Sequence, residues 1–325
     1  MTTDSPSRFT SGAFVPIAVA DRNGLDESLH HGVGVVLDAD GVVERSIGDP
    51  ATVVYPRSAL KPFQASAMVG AGLELPHRLL AVVAASHSGE QRHLDAVVEI
   101  LERHDLTVDD LLNTAARPYG PDARDASIAG GVAESSLQQN CSGKHAGMLA
   151  TCRINDWSID SYLDVDHPLQ VAITAETDRL AGRPSVVHVG IDGCGAPTHA
   201  MPLVDVATAL RQMMVESSDV VEAMSAMPGL VGGTDRDVTL WMEAVPGLAA
   251  KEGADGVMVL ALPDGRAAAL KIADGSDRAR QAVTIELLRM LDVDVDGALA
   301  AVRDRAAATV SGHGRPVGAV RPLTW

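Results

Sequence analysis

The run Val257-Met-Val-Leu-Ala-Leu-Pro-Asp-Gly-Arg-Ala-Ala-Ala-Leu-Lys-Ile272 decides how this chain folds. Residues 257–262 and 267–272 are apolar stretches of strand length. Pro263-Asp264-Gly265 parts them. Proline presets one backbone angle, aspartate bonds the backbone ahead of it, and glycine accepts a positive φ. The two stretches therefore read as an antiparallel hairpin. Three more strand-like stretches, residues 13–20, 32–38 and 42–47, stand at the opposite end of the chain, and Asp40-Gly41 is a hairpin turn between the last two. Between the two ends the apolar spacing is mostly helical: residues 61–69, 77–85, 91–103, 108–113, 144–153, 167–180, 204–215 and 220–226. Residues 117–131, rich in Gly, Pro and Asp, read as a loop, 186–190 as a strand, and 278–291 as a closing amphipathic helix. Strands at both ends with helix between is not the regular alternation of a doubly wound parallel sheet. The expected fold class is α/β of the α+β type, with an antiparallel sheet formed from both chain ends and an inserted helical subdomain. A single domain is expected over residues 10–325. Its sheet part covers about 10–60 plus 184–325, and its helical part about 61–183.

Composition excludes some partners. Apolar residues make up 46% of the chain and aromatics only 3%, so small aliphatic side chains must fill the core. A net charge of −17 argues against nucleic acid and against anionic membrane surfaces. Residues 1–10 lack a basic start and a long apolar run, so no signal peptide is expected, and no stretch approaches transmembrane length. The cysteines are Cys141, Cys152 and Cys194, an odd number that fits reduced thiols in a cytoplasm.

The chain carries four lysines against 22 arginines. Arg serves most surface roles of Lys but cannot become a neutral amine. Three of the four lysines sit in motifs of small residues: Ser58-Ala-Leu-Lys61, Cys141-Ser-Gly-Lys144 and Lys251-Glu-Gly253. Lys271 lies in a strand-like run and reads as incidental. Ser58 and Lys61 form S-x-x-K at the start of a helix, where residues i and i+3 share a face. An amine there can take the proton of a hydroxyl that is otherwise a weak nucleophile. A solvated first-turn serine is the plainer reading of the same motif.

Ser86-His-Ser-Gly-Glu90 follows the apolar run 79–85. It is either a polar site cluster or the cap of the next helix. Lys251-x-Gly253 precedes the hairpin and offers a second cation, with a glycine that permits close approach. The order S-x-x-K, Ser cluster, K-x-G is similar to that of serine β-lactamases and penicillin-binding proteins. Glu252 stands where those enzymes carry Thr, and the middle element is not S-D-N.

Cys141-Ser-Gly-Lys-His145 and Asp192-Gly-Cys-Gly195 form a second constellation. Two thiols in glycine-flanked loops can chelate a borderline metal ion, with His145, Lys144 and Asp192 completing or orienting the site. The same thiols also read as small buried hydrophobes.

These residues resemble the asparaginase II family, the rhizobial-type or class 3 L-asparaginases. The resemblance is carried in order by Tyr55-Pro-Arg-Ser-Ala-Leu-Lys-Pro-Phe-Gln64, Ala85-Ser-His-Ser-Gly-Glu90, Asn140-Cys-Ser-Gly-Lys-His-Ala-Gly-Met-Leu149, Gly190-Ile-Asp-Gly-Cys-Gly195 and Ala250-Lys-Glu-Gly253. It implies hydrolysis of L-asparagine to L-aspartate and ammonia, on a fold similar to serine β-lactamases and glutaminases. It implies Ser58 as nucleophile with Lys61 as its base, Ser86 as second active-site serine with Ser88 as the rival, and Lys251 as second lysine. It further implies one Zn2+ per subunit on Cys141, Lys144 and Cys194, serving substrate binding more than bond cleavage, and a homodimer. Arg57, or the zinc with His145, is expected to hold the substrate's charged ends, with Asp192 tuning Lys144 and the metal. Glutaminase, β-lactam hydrolase and zinc-hydroxide hydrolase are the rival enzymes, and a metal-binding scaffold is the non-enzymatic one.

Overall fold

The hairpin at 257–272 sits inside the main sheet of the computed structural model, which describes residues 12–325. The stretch 1–10, on which the absence of a leader was read, lies outside the described residues, as does the start of the expected domain at residue 10. Strands β1 (Val15–Arg22), β2 (Leu25–Leu37) and β3 (Val43–Ile47) come from the amino-terminal end. Strands β4 (Val53–Val54), β5 (His188–Ile191) and β6 (Pro197–Pro202) form a small separate sheet in the order β4-β6-β5. Strands β7 (Ala249–Gly253), β8 (Val257–Ala261), β9 (Ala267–Ile272), β10 (Thr309–Gly312) and β11 (Arg315–Pro322) come from the carboxy-terminal end. The large sheet runs β10-β11-β1-β2-β9-β8-β7, with β3 also on β2. Strands from the two chain ends meet at two antiparallel seams, β2 with β9 (Gly32 opposite Ile272, Leu37 opposite Ala267) and β1 with β11 (Ala18 opposite Pro322). The sheet is thus antiparallel and built from both chain ends.

Twelve helices occur among the described residues. They are α1 (Lys61–Gly70), α2 (His77–Val83), α3 (Gln91–Glu102), α4 (Pro121–Ala129), α5 (Ser142–Ile154), α6 (Pro168–Ala181), α7 (Leu203–Val215), α8 (Asp219–Ala226), α9 (Pro228–Val231), α10 (Asp237–Ala244), α11 (Asp277–Met290) and α12 (Ala300–Ala306). Residues 61–183 hold α1 to α6 and no strand element. All of β8 is buried, although successive side chains point to opposite faces. Both faces of the sheet centre are therefore covered. Helix α7 packs on β2, β8 and β9, and α11 packs on β1, β9 and β11.

Several elements differ from the sequence reading, among them α10, α12, β4, β6 and β7, which it does not contain. Residues 121–129 form α4 rather than loop, because Pro121 occupies the first helical turn behind Gly120. Residues 108–113 hold only the 3-10 turn Val108–Asp110. The hairpin of β10 and β11 was not read at all. Its strand Arg-Pro-Val-Gly-Ala-Val-Arg-Pro carries two prolines and a glycine, which argue against a strand unless a partner and a register shift accommodate them.

The fold brings three separated motifs together. The 3-10 turn Arg57–Leu60 packs on β7, and α2 ends just before Ser86. A Cβ added to Gly253 would lie 2.1 Å from Pro56 O, so glycine is what lets β7 approach that turn. Gly143 plays the same part for α5, where a Cβ would lie 2.2 Å from Val82 O.

Candidate active site

Lys61, Ser86 and Lys251 converge on one oxygen. Lys61 Nζ donates to Ser86 Oγ at 3.1 Å, and Lys251 Nζ donates to the same Oγ at 2.9 Å. Both lysines are buried. The direct Lys61–Ser58 hydrogen bond expected from S-x-x-K is not made. Lys61 Nζ turns instead to Ala85 O at 2.6 Å, Ser86 Oγ and Asn140 O at 3.4 Å. Three acceptors match the three protons of an ammonium. Ser58, half-buried on the 3-10 turn, lines the same cleft as Ser86, and its Oγ has no hydrogen-bond partner among the described residues.

The two serines of the 86–90 cluster separate cleanly. Ser86 Oγ faces the lysines, whereas Ser88 Oγ donates to Gly232 O at 3.1 Å. Ser88 N also bonds Gly232 O, and Gly120 N bonds Ser88 O. Ser88 therefore ties three loops together. Glu90 caps α3 through the capping box with His93, so the cap reading also holds for part of the cluster.

Electrostatics distinguish Lys251. Burial, resisted by the Glu252 carboxylate and reinforced by the Lys61 charge, pushes its ammonium down to about 8. Glu252 is itself held down to about 2: burial opposes this, and the charges of Lys251 and Arg236 outweigh burial. His87, next in sequence to Ser86, is kept neutral by burial and by the nearby His93, Lys61 and Arg236.

The cleft has a volume of about 620 Å³. Ser58, Ser86, Asn140 and Glu252 line it from the motifs already read. Tyr119, Arg124, Arg236, Asp277 and Arg280 also line it, and the sequence reading had missed them. Arg280 is neutralised by Asp237 at 2.7 Å and by Asp277 at 3.0 Å. Arg236 pairs with Glu252 at 2.9 Å and lies 4.6 Å from the Tyr119 ring centroid. Arg124 bonds only backbone carbonyls, Pro118 O at 3.2 Å and Tyr119 O at 2.7 Å. It is a cleft cation without a carboxylate partner among the described residues.

Arg57, His145 and Asp192 are each engaged by other side chains. Arg57 has a positive φ of 54° and is held by Asp192 at 2.7 Å and by Asp255. His145 is fully buried, with Nδ1 at 2.8 Å from Tyr162 OH. Neither these two nor Asp192 is among the cleft-lining residues. The Arg57–Asp192 pair joins the Ser58 turn to the Cys194 loop.

Cys141 and Cys194 are buried, free and in contact with each other. A hydrogen bond from the Cys194 thiol holds Cys141 well below the usual thiol range. Lys144 Nζ lies 3.2 Å from Cys194 Sγ. Burial opposes its charge, but the two sulfurs raise it. His145 Nε2 is buried beside Cys194 without a hydrogen bond of ordinary length. Among the described residues, His77, Asp219 and Glu222, all exposed, are the one set of three His, Cys or carboxylate ligand atoms within 4.8 Å of each other. No such third ligand joins the cysteines; Lys144, the third donor the resemblance implies, is the amine that reaches Cys194. Two sulfurs and an amine, with an orphaned imidazole nitrogen beside them, fit zinc by donor chemistry. Cys152 faces the core and takes no part.

A family model described as L-asparaginase II matches residues 18–322. No curated protein matches the chain. Among solved structures, a β-lactamase from Mycobacterium bovis is similar at 16% identity and TM-score 0.44, over 81% of this chain and 95% of that one. The protein named Mglu is similar at 15% identity and TM-score 0.43, over 80% of this chain and 67% of that one.

Proposed function

Because this chain belongs to the L-asparaginase II family, and is by that membership an amidohydrolase, we propose that it hydrolyses L-asparagine to L-aspartate and ammonia through a serine ester. The observation that carries this reading is Ser86 Oγ held between Lys61 and Lys251, on a cleft that Ser58 also lines. Burial makes the Lys251 amine give up its proton more readily than an exposed lysine does. Its neutral form takes the proton of Ser86, and Ser86 Oγ takes that of Ser58. Lys61, held by its three acceptors, orients Ser86 and lowers the proton affinity of Lys251.

The electron balance is that of acyl transfer. Ser58 Oγ bonds to the side-chain amide carbon while its proton moves through Ser86 to Lys251. Ala59 N is already bonded to Pro56 O, so the oxyanion donors of this proposal are the N–H groups of Arg57 and Ser58 that open the 3-10 turn. The carbon–nitrogen bond then breaks, and the proton held by Lys251 returns through Ser86 to the departing nitrogen, which leaves as ammonia. Water attacks the aspartyl ester by the same relay, and Ser58 recovers its proton. Arg124, the cleft cation without a carboxylate, takes the substrate's α-carboxylate. Zinc on Cys141, Lys144 and Cys194, when bound, supplies positive charge for substrate binding. A cytoplasmic homodimer completes the reading.

Ammonia release from L-asparagine by the purified, zinc-supplied protein, with Ser58→Ala as control, is the direct test. Release from wild type and loss in the variant are expected. Faster release from glutamine would transfer the same site to a glutaminase, because one methylene changes pocket affinity only modestly. Ammonia release unchanged in Ser58→Ala would remove the mechanism.

A further inference from the structure

Lys251 and Glu252 are neighbours on β7, and strand alternation should send them to opposite faces. They nevertheless meet. Lys251 Nζ forms an ion pair with Glu252 Oε1 at 2.9 Å and donates to Glu252 O at 2.9 Å. Its third contact is Ser86 Oγ. The Oε1 atom that receives Lys251 also receives Arg236 Nη2 at 2.9 Å. Arg236 Nη1 in turn donates to the backbone O of Ser86 at 3.3 Å. One carboxylate therefore reaches both parts of Ser86, its side chain through Lys251 and its main chain through Arg236.

We infer that Glu252 and Arg236 act as a pair of positioning residues for this site, the carboxylate fixing the Lys251 amine on Ser86 Oγ while the guanidinium fixes the Ser86 backbone. The inference rests on the serine–lysine reading above. A buried amine needs a partner for its charge, and simple neutralisation would account for the carboxylate alone. It would not account for Arg236, whose cation partly cancels that neutralisation and whose second donor goes to Ser86. The charged groups facing Lys251 come from three elements. Lys61 stands at the start of α1, Glu252 on β7 itself and Arg236 just ahead of α10. Arg280 of α11 acts on Glu252, and its charge is matched by Asp237 and Asp277. Glu252 raises the proton affinity of Lys251, and Arg236 and Lys61 lower it.

Two substitutions must then move Lys251 in opposite directions. Glu252→Gln removes the anion and leaves two cations, so the amine should lose its proton about one unit lower or more. Arg236→Gln removes a cation and leaves the anion, so the amine should titrate higher. A purely structural role lowers the amount of folded protein and produces no opposed pair of shifts. The chain's four lysines make this readable directly. Protein carrying 13C at lysine Cε, titrated by NMR, gives four resonances, and Lys251→Ala identifies the relevant one.

The expected result is a wild-type Lys251 titrating near 8, a lower value in Glu252→Gln and a higher one in Arg236→Gln. The lower limb of kcat/KM against pH should move the same way. Glu252→Asp, which keeps the charge and folds if Glu252→Gln does not, should hold the wild-type value more closely than any neutral replacement. An unmoved Lys251 resonance in Glu252→Gln, or shifts of one sign in both neutral variants, overturns the pairing. Unchanged ammonia release in Lys251→Ala overturns the serine–lysine reading instead, whatever the resonances do.

Discussion

Lys251 Nζ lies 2.9 Å from Ser86 Oγ, and the two residues are 165 positions apart. The contact sets a pH dependence. Lys251 acts in the proposed reaction as a neutral amine, and its ammonium is pushed down to about 8 by burial, against the pull of Glu252 and with the help of Lys61. The neutral fraction therefore grows as pH rises towards that value. We expect kcat/KM for L-asparagine to climb about tenfold per pH unit on the acid side and to level off above it. A pH–rate profile at saturating zinc measures this. A flat profile between pH 6 and pH 8 would remove Lys251 as the base.

The separation of Ser86 from Ser88 predicts two different phenotypes for one substitution. Ser86→Ala removes the oxygen shared by both lysines, and turnover should fall by about 10²–10⁴-fold, far more than any loss of folded protein explains. Ser88→Ala removes a buried hydrogen bond to Gly232 O. It should cost about 1 kcal/mol of stability and leave turnover within a small factor. Ammonia release and a melting curve on the same two preparations decide the matter. Equal losses of turnover in both would contradict the geometry.

The two-ended sheet was legible because hairpin 257–272 and the amino-terminal strands each carry strong turn chemistry. The carboxy-terminal strand β11 was not legible, since its prolines are tolerated only through its partners and the shifted register at Val310 and Ser311. In the site, motif spacing named Ser58, Lys61, Ser86 and Lys251. It did not show where Lys61 points, because Ala85 O, Ser86 Oγ and Asn140 O are brought to it by other segments. Place in the motifs suggests Arg57 and His145 as substrate contacts and Asp192 as a tuner of Lys144 and the metal. Arg57 and Asp192 pair with each other, Arg57 also with Asp255, and His145 Nδ1 with Tyr162, while His145 Nε2 is left without a hydrogen bond of ordinary length among the described residues. Arg124 and Arg236 carry no local signal among 22 arginines. Pro121 at the start of α4 was the one available hint that the segment bearing Arg124 is ordered helix.

Removal of a sulfur should separate metal binding from bond cleavage. Cys141 and Cys194 are the two soft donors of the proposed zinc site; neither lines the cleft itself, and Cys141 Sγ donates to the cleft residue Asn140 at 3.4 Å. Cys194→Ser should bring the zinc content of the purified protein well below one per chain and raise KM for L-asparagine more than it lowers kcat. Elemental analysis and a Michaelis–Menten series read the two effects. Full zinc content in Cys194→Ser, or in Cys141→Ser, would show that the thiols do not hold the ion.

Gly253→Ala tests the packing that places the nucleophile. The methyl group would fall 2.1 Å from Pro56 O and 3.2 Å from Ala59 N, both backbone atoms that cannot rotate away. Either β7 or the turn Arg57–Leu60 must move, and that turn carries Ser58. Overpacking of this kind costs about 1–3 kcal/mol. A displacement of about 1 Å at a reacting group costs about 10²-fold in rate. The variant should therefore lose both stability and turnover, with turnover falling by far more than the loss of folded protein explains. Gly72→Ala serves as the control, since it also introduces a methyl at a glycine but finds Ile154 at an ordinary 3.6 Å. Its positive φ of 95° still strains the backbone, so stability drops there too while kcat per folded molecule stays at the wild-type level. A Gly253→Ala enzyme with wild-type kcat would mean that the approach of β7 to the turn does not position Ser58.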